Sequence, residues 1–396
     1  MTKSAKTVTR RGSLRQLSAW AAGLAAAPAA ALSKPKEPCT NPAYLPVHSV
    51  GRHLSERFQV WDPAMDKICK ASHEPYRGAE RPAHFFQWPG IYFESRFTGN
   101  EVRMEGYDDV EALYNVFIDG KHRGRGTRPN MTFLLDHDGE HIIRLEVATE
   151  LQAARLRLNG FAVPSSRHVL PAPQPRARQI EFIGDSWTVG YGNTSSKQEC
   201  TQEQVQRSTD TSQAFGPITA KHFDADYQIN AYSGRGAVRN YDGISPGEPL
   251  PALYPYILFD KQTLYEDDSW KPHLIVVGLG GNDFSTPVKP GEKWPSEDAL
   301  AADFEASYVL FLKELRRRNP GAFLLVMNYD GPKVAPHLDA VVAAMKAGGE
   351  ARIDSLTMGD FALTGCHWHL DLNDHRRIST QLNTWIEAHP DLWSYK

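Results

Sequence analysis

IEFIGDSWTVGYGN, residues 180–193, begins as a short apolar strand and ends in a turn rich in glycine. Ser186 stands just past the predicted strand 179–184, with Gly184 before it. A serine in that position can be an exposed nucleophile beside backbone N–H groups, or it can simply cap a helix. Its spacing differs from the Gly-x-Ser-x-Gly elbow of α/β-hydrolases, so that fold is not indicated.

The chain after this stretch alternates strands with helices. Apolar runs predict strands at 179–184, 227–230, 273–279 and 322–327, and helical patterns occur at 211–223, 296–318 and 334–347. This alternation predicts an α/β domain over 178–396 with a doubly wound, mostly parallel sheet. Functional residues of such a sheet are expected at the carboxyl ends of its strands.

Three further polar segments follow predicted strands or lie near the C-terminus: NAYSGRG at 230–236, GLGGND at 278–283 and GCHWHLD at 365–371. Glycines there can present N–H groups to a ligand or merely form a turn. Asn282 can aim its amide at a developing oxyanion or close an Asx turn, and the last segment offers an imidazole as a general base. Each signal alone is weak, but their order along the chain predicts one nucleophilic site.

The chain before the α/β domain reads as strands only. Residues 45–165 contain short apolar runs separated by turns such as Asp119-Gly120, and the runs 131–135 and 141–147 flank another turn. Short strands without a convincing helix predict an all-β sandwich. A proline-rich linker, 166–177, separates the two predicted domains, and two domains are expected for 396 residues.

The first 31 residues predict an export signal. Residues 1–16 hold five positive and no acidic side chains, and an alanine-rich apolar stretch runs from Leu17 to Ala31. Arg10 and Arg11 resemble a twin-arginine signal, and the general export route remains equally open. We therefore expect a periplasmic or extracellular protein.

Cleavage after Ala31 would change the formal net charge from −3 to −8, which argues against a nucleic-acid partner. Beyond the signal, no apolar run approaches the roughly 20 residues that a membrane span needs, so we expect no membrane association after cleavage.

Four cysteines remain in the mature chain, where export permits disulfides. They allow three pairings. Cys39–Cys69 with Cys200–Cys366 is the pairing we predict, because each bridge then stays inside one predicted domain. Free buried thiols are the alternative.

These segments together resemble the SGNH (GDSL-like) hydrolase superfamily, and most closely carbohydrate esterase family two. The resemblance is carried by GDS at 184–186, SG at 233–234, GGND at 280–283 and a late histidine, together with the FIDG and GEHIIRLEVATE segments of the β region. It implies a three-layer SGNH hydrolase domain preceded by a jelly-roll sandwich. It also implies removal of acetyl groups from plant-wall xylan or glucomannan, without a metal or other cofactor.

The resemblance assigns roles position by position. Ser186 matches the nucleophile and His369 the general base. The N–H groups of Ser186 and Gly234 and the amide of Asn282 match the oxyanion hole. Trp187 and Trp368 flank these positions and suit stacking on a sugar, and they suit core packing as well.

One position departs from the family pattern. Where a third triad member occurs, it is an aspartate two residues before the catalytic histidine, and this chain has His367 there. We expect either a Ser–His dyad, with a backbone carbonyl orienting the ring, or rescue by a carboxylate such as Asp360 or Asp371. His375 is a second candidate base, although it suits the surface of a helix better.

Two rival interpretations remain. Cys366, His367, His369 and His375 do not have a familiar zinc spacing, so no metal is expected. The other rival is a catalytically weak or inactive protein that binds carbohydrate on the same fold. The sequence leaves open which polysaccharide and which hydroxyl are used, and the oligomeric state.

Overall fold

The structure is a computed structural model of the chain. It describes residues 42–60, 67, 69–70, 79–107, 112–127, 130–150, 152, 155–329 and 331–394. The predicted export signal, residues 1–31, lies outside the described residues.

Among the described residues before 164, the strands form one antiparallel sheet: β1 Ala43–Tyr44, β2 His48–Val50, β3 His53–Val60, β4 Ala79–Phe86, β5 Tyr92–Tyr107, β6 Tyr114–Ile118, β7 Lys121–Gly126, β8 Met131–Val147 and β9 Leu156–Val163. Their hydrogen-bonded order is β3-β4-β9-β5-β8-β6-β7, with β1 on β9 and β2 on β5.

The two longest strands, β5 and β8, lie side by side in the middle of this sheet. They pair with each other along most of their length, and the register shifts between Gly99 and Glu101. The first half of β5 lies beside β2 and its second half beside β9. Phe97 and Met104, from the two halves, belong to one buried cluster. The predicted β-sandwich is confirmed.

The second part is a five-stranded parallel sheet made of β10 Arg178–Gly184, β11 Ala225–Ala231, β12 Leu274–Gly278, β13 Phe323–Tyr329 and β14 Ile353–Met358, in the order β11-β10-β12-β13-β14. Its helices are α1 Ser186–Val189, α2 Gln202–Ser208, α3 Phe215–His222, α4 Leu250–Leu253, α5 Glu297–Arg318, α6 Ala335–Ala347 and α7 Leu372–Glu387. The predicted doubly wound sheet is confirmed. β10 and β12 each have a hydrogen-bonded strand on both sides. β12 is buried throughout, and β10 is buried from Ile180 to Gly184.

The start of one helix was predicted correctly from the local sequence, and the start of another was not. Ser296 caps α5, as predicted, by accepting a hydrogen bond from Ala299 N at 3.2 Å. The predicted helix 211–223 was wrong in its first turn. Ala214 is extended (φ −75°, ψ 161°), so a 3₁₀ turn at Thr211–Gln213 precedes α3.

The two parts pack into one compact unit, Cys39–Lys396. Arg176, at the end of the proline-rich segment, joins them. Its guanidinium lies 3.1 Å from Glu94 Oε1 of β5 and 2.9 Å from Asp226 Oδ1 of β11. Arg125 of β7 makes a similar ion pair with Asp210, at 2.7 Å.

The predicted Cys200–Cys366 disulfide is present, with a Cα–Cα distance of 5.5 Å. Cys69 is also disulfide-bonded. Its predicted partner, Cys39, lies outside the described residues. Within the described ranges, no helix is both long and apolar enough to cross a membrane.

Candidate active site

Ser186 is the first residue of α1, and only Asp185 separates it from the end of β10, the strand between β11 and β12. Asp185 caps this short helix by accepting a hydrogen bond from Trp187 N at 3.0 Å. β11 and β12 flank β10 and bring their own carboxyl ends to the same edge of the sheet. The end of the strand, rather than a flexible loop, therefore positions the Ser186 hydroxyl.

His369 contacts that hydroxyl from the other end of the chain. Its Nε2 lies 2.8 Å from Ser186 Oγ. Its Nδ1 lies 3.0 Å from the backbone oxygens of both Cys366 and His367. Since carbonyls only accept hydrogen bonds, Nδ1 carries the proton and Nε2 is left to accept the proton of Ser186. Burial lowers the pKa of His369, which keeps the ring neutral.

The side chain of His367 does not orient this ring. Its backbone is left-handed (φ 52°, ψ 42°), which turns the imidazole away from His369. Its Nδ1 lies 3.0 Å from the Tyr191 hydroxyl, and its Nε2 lies 2.7 Å from the backbone oxygen of Cys200. His367 therefore contributes its carbonyl to the base, while its side chain holds the neighbouring loop.

Asp371 and Asp360, the carboxylates that we considered for orienting His369, do not bond to its ring. Asp371 caps α7 and accepts hydrogen bonds from Asn373 N at 2.7 Å and Asp374 N at 2.9 Å. Asp360 is exposed. Both hydrogen bonds that the structure gives His369 Nδ1 go to backbone oxygens.

His375 is neither at the site nor on the helix surface. It is fully buried within α7, and its Nδ1 accepts a hydrogen bond from Phe215 N at 3.2 Å. Burial lowers its pKa to about 3. This histidine supports the packing of α3 against α7.

Asn282 brings the predicted oxyanion-hole residues together. Its amide nitrogen lies 3.1 Å from Asp185 Oδ2, beside Ser186, and 2.9 Å from Arg235 O, beside Gly234. Gly234 has φ +80°, and a Cβ added to it would meet no atom within 4 Å, so its backbone borders open space.

Asp283 and Arg239 fix the two loops that carry Gly234 and Asn282. The buried Asp283 carboxylate accepts hydrogen bonds from Ala237 N, Val238 N and Arg239 N at 2.8–2.9 Å. In return the Arg239 guanidinium donates to Asp283 O at 3.1 Å. A Cβ on Gly236 would lie 2.5 Å from Asp283 Oδ2, so this close approach requires glycine. We did not predict these roles, although Asp283 is the last residue of the GGND motif.

Two buried carboxyl groups, Asp185 and Asp283, therefore border the predicted oxyanion hole. Burial raises the pKa of Asp185 to about 7 and that of Asp283 to about 6. Partial protonation of Asp185 near neutral pH would reduce the negative charge next to the predicted oxyanion position.

The aromatic side chains around the site divide into exposed and packed ones. Trp368, beside His369, is 58% exposed. Trp187 packs edge-on against Phe361, with ring centroids 5.2 Å apart. The Tyr191 ring lies 4.5 Å from the His369 ring. Trp368 thus offers an open face to a ligand, whereas Trp187 is largely committed to packing.

Within the part of the chain that the structure describes, no group of three or more His, Cys, Asp or Glu residues is placed to hold a metal ion.

Comparisons with known proteins match both parts of the chain. The "Carbohydrate esterase 2 N-terminal" model matches residues 78–173, and the "GDSL-like Lipase/Acylhydrolase" model matches residues 180–388. An acetylxylan esterase / glucomannan deacetylase of Cellvibrio japonicus is 41% identical over 324 residues, covering 80% of this chain and 89% of that protein.

Solved structures agree. A carbohydrate esterase described as having divergent catalytic and non-catalytic binding functions at its active site is 38% identical, with a TM-score of 0.79 and coverage of 89% of this chain and 100% of that one. A family two carbohydrate esterase from Clostridium thermocellum, in complex with cellohexaose, is 25% identical with a TM-score of 0.68, covering 79% of this chain and 95% of that one.

The parallel sheet, with Ser186 just beyond the carboxyl end of β10, thus defines a carboxylic ester hydrolase of the GDSL-like (SGNH) class. The antiparallel domain in front of it narrows the assignment. The chain belongs to carbohydrate esterase family two.

Proposed function

We propose that this protein removes O-acetyl groups from plant-wall polysaccharide, acetylated glucomannan or xylan, through an acyl-enzyme on Ser186. The activity named for the Cellvibrio japonicus relative supports the substrate class. The observation that carries the mechanism is the 2.8 Å contact between Ser186 Oγ and His369 Nε2.

The mechanism is a Ser–His dyad. His369 Nε2 takes the Ser186 proton as Oγ attacks the acetyl carbonyl, and the oxyanion faces the N–H groups of Ser186 and Gly234 and the Asn282 amide. The sugar hydroxyl leaves with the proton from His369, and water activated by the same ring then releases acetate. The carbonyls of Cys366 and His367 hold the ring in the required tautomer throughout.

A second candidate function is carbohydrate binding without turnover. The 58% exposed Trp368 beside the site favours it, because an open aromatic face stacks on sugar rings. The solved relative with cellohexaose bound shows that a family member accommodates a sugar chain.

We further propose that the protein is exported, with residues 1–31 as the signal. The Cys200–Cys366 disulfide supports this location, because disulfides persist in oxidising compartments.

Acetate release tests the proposal. The mature protein and its Ser186→Ala variant would be incubated with acetylated glucomannan, acetylated xylan and 4-nitrophenyl acetate. We expect release by the wild type and loss of at least about 10⁴-fold in the variant. A wild type that is inert on all three, yet retarded by glucomannan in affinity electrophoresis, would favour the binding function instead.

A further inference from the structure

The Gly234 donor of the oxyanion hole belongs to a β-turn. Arg235 N donates to Tyr232 O at 3.2 Å, so Ser233 and Gly234 are the central residues of the turn. Gly234 has φ +80°, whereas Ser233 is not among the described residues with positive φ, and this combination defines a type II turn. The central peptide unit of the turn consists of the Ser233 carbonyl and the Gly234 N–H.

The direction of that N–H depends on which turn type forms. Type I and type II turns differ in the orientation of the central peptide, and glycine at the third position accepts both. Because the peptide is planar and trans, its C=O and N–H point in opposite directions, so fixing the carbonyl also fixes the N–H. Intrinsic backbone preference therefore leaves the donor poorly defined, and neighbouring contacts must define it.

Two side chains of the β domain supply such contacts. After β8, Glu150 Oε2 accepts a hydrogen bond from Ser233 N at 2.8 Å. Gln152 Nε2 donates to Ser233 O at 3.3 Å and to Glu150 Oε1 at the same distance. Both backbone polar groups of Ser233 are thus held from the other domain.

We propose that Glu150 and Gln152 are positioning residues for the oxyanion hole, which hold the Ser233–Gly234 peptide so that the Gly234 N–H points at the oxyanion. The hydrogen bond to the Ser233 carbonyl also polarises this peptide unit and strengthens its N–H as a donor. The inference rests on the proposed function and extends it, because it gives the β domain a part in catalysis.

A purely structural role fits the contacts less well. The Gln152 side chain is exposed, so its removal costs little buried surface. Other contacts hold the two domains together, including the ion pairs of Arg125 with Asp210 and of Arg176 with Asp226. Stability and catalysis can therefore be separated by experiment.

The test compares Gln152→Met, Glu150→Leu and Glu150→Gln with the wild type. Gln59→Met serves as the matched control, since Gln59 is an exposed glutamine on β3 of the same domain. Steady-state kinetics on 4-nitrophenyl acetate, inhibition by methylboronic acid and melting temperature would be measured for each. Methylboronic acid forms a tetrahedral adduct with a serine and so probes the oxyanion hole directly.

We expect Gln152→Met to lower kcat about tenfold. This loss is smaller than the about 10²-fold loss that follows removal of a whole oxyanion donor, because the Gly234 N–H remains in the variant. KM should stay within about twofold, because the bond strengthens only as the oxyanion forms. Methylboronic acid should bind more weakly by a similar factor, and the melting temperature should match that of Gln59→Met. Glu150→Leu should lose at least as much activity, and Glu150→Gln should recover most of it, since an amide oxygen still accepts from Ser233 N.

If Gln152→Met has the same kcat and the same affinity for methylboronic acid as Gln59→Met, the positioning role is overturned. This holds even if Glu150→Leu fails to fold. The positioning role is also overturned if the variants lose activity only in proportion to a fall in their melting temperature. A wild type that hydrolyses no ester would instead overturn the proposed function, and this inference with it.

Discussion

The proposed nucleophile, Ser186, and the proposed base, His369, are held in different ways. Ser186 follows a strand that is hydrogen-bonded on both sides, and its helix is capped by the preceding residue. His369 lies on the segment 359–371, after the edge strand β14, where four non-glycine residues have left-handed backbones: Asp360, Leu363, His367 and Trp368.

Cross-links replace the sheet on the histidine side. The disulfide joins Cys366 to Cys200, and His367 N and Cys366 N donate to the backbone oxygens of Gln198 and Gly192. Left-handed backbone costs about 1 kcal/mol or more per non-glycine residue, so these contacts must offset it. Regular structure thus places the proposed nucleophile, whereas bonds between distant loops place the proposed base.

The largest expected effect requires both residues at once. Ser186→Ala and His369→Ala should each lower kcat by at least about 10⁴-fold, because proton removal and attack form one step. The double variant should be no slower than either single one. Kinetics on 4-nitrophenyl acetate, with circular dichroism to verify folding, measure this. If the fold-losses in kcat of the two single variants multiply in the double variant, the two residues act separately.

On the nucleophile side, Asn282→Ala should lower kcat about 10²-fold while KM changes little, because the amide bonds the oxyanion more strongly than the carbonyl. Asn100→Ala, at an exposed asparagine of β5, is the matched control. Equal kcat for the two variants would remove Asn282 from the oxyanion hole.

On the histidine side, the Cys200→Ser, Cys366→Ser double variant should lower kcat about tenfold, because the Cys366 carbonyl orients the base. It should also lower the free energy of unfolding by about 3–5 kcal/mol. Hydrogen exchange should rise in 359–371 and stay unchanged in 180–190. An equal rise in both segments would contradict the comparison.

The pH dependence reports the protonation of His369. Burial lowers its pKa below 6.5, so the ring stays neutral, and active, when the pH falls to 6.5. We expect kcat/KM to change less than about twofold between pH 8 and 6.5 and to fall below that range. An acid limb centred above pH 6.5 would show that a carboxylate stabilises the protonated ring.

The smallest effect should come from His367→Asn, with kcat within about threefold of the wild type. Asparagine tolerates the left-handed backbone, and the contribution of this residue to the base is its carbonyl. A loss of 10²-fold or more in the same assay would mean that the imidazole takes part in orienting His369.

Much of the fold and part of the site could be predicted because their signals are local. Apolar runs predicted β10 to β13, and Ser296 predicted the start of α5. The edge strand β14 was missed, since its sequence IDSLTM mixes polar and apolar residues on a half-exposed strand. His375 was misjudged, because its burial depends on how α7 packs against α3.

The sequence by itself determined the order of strands and helices and the four segments that meet at the carboxyl edge of the sheet, because apolar periodicity and turn chemistry act over a few residues. The tertiary structure decided what holds these segments. The two carbonyls behind His369 depend on left-handed turns, and the contact of Glu150 with Ser233 joins residues 83 positions apart. Neither leaves a local pattern, since each depends on how distant parts of the chain pack together.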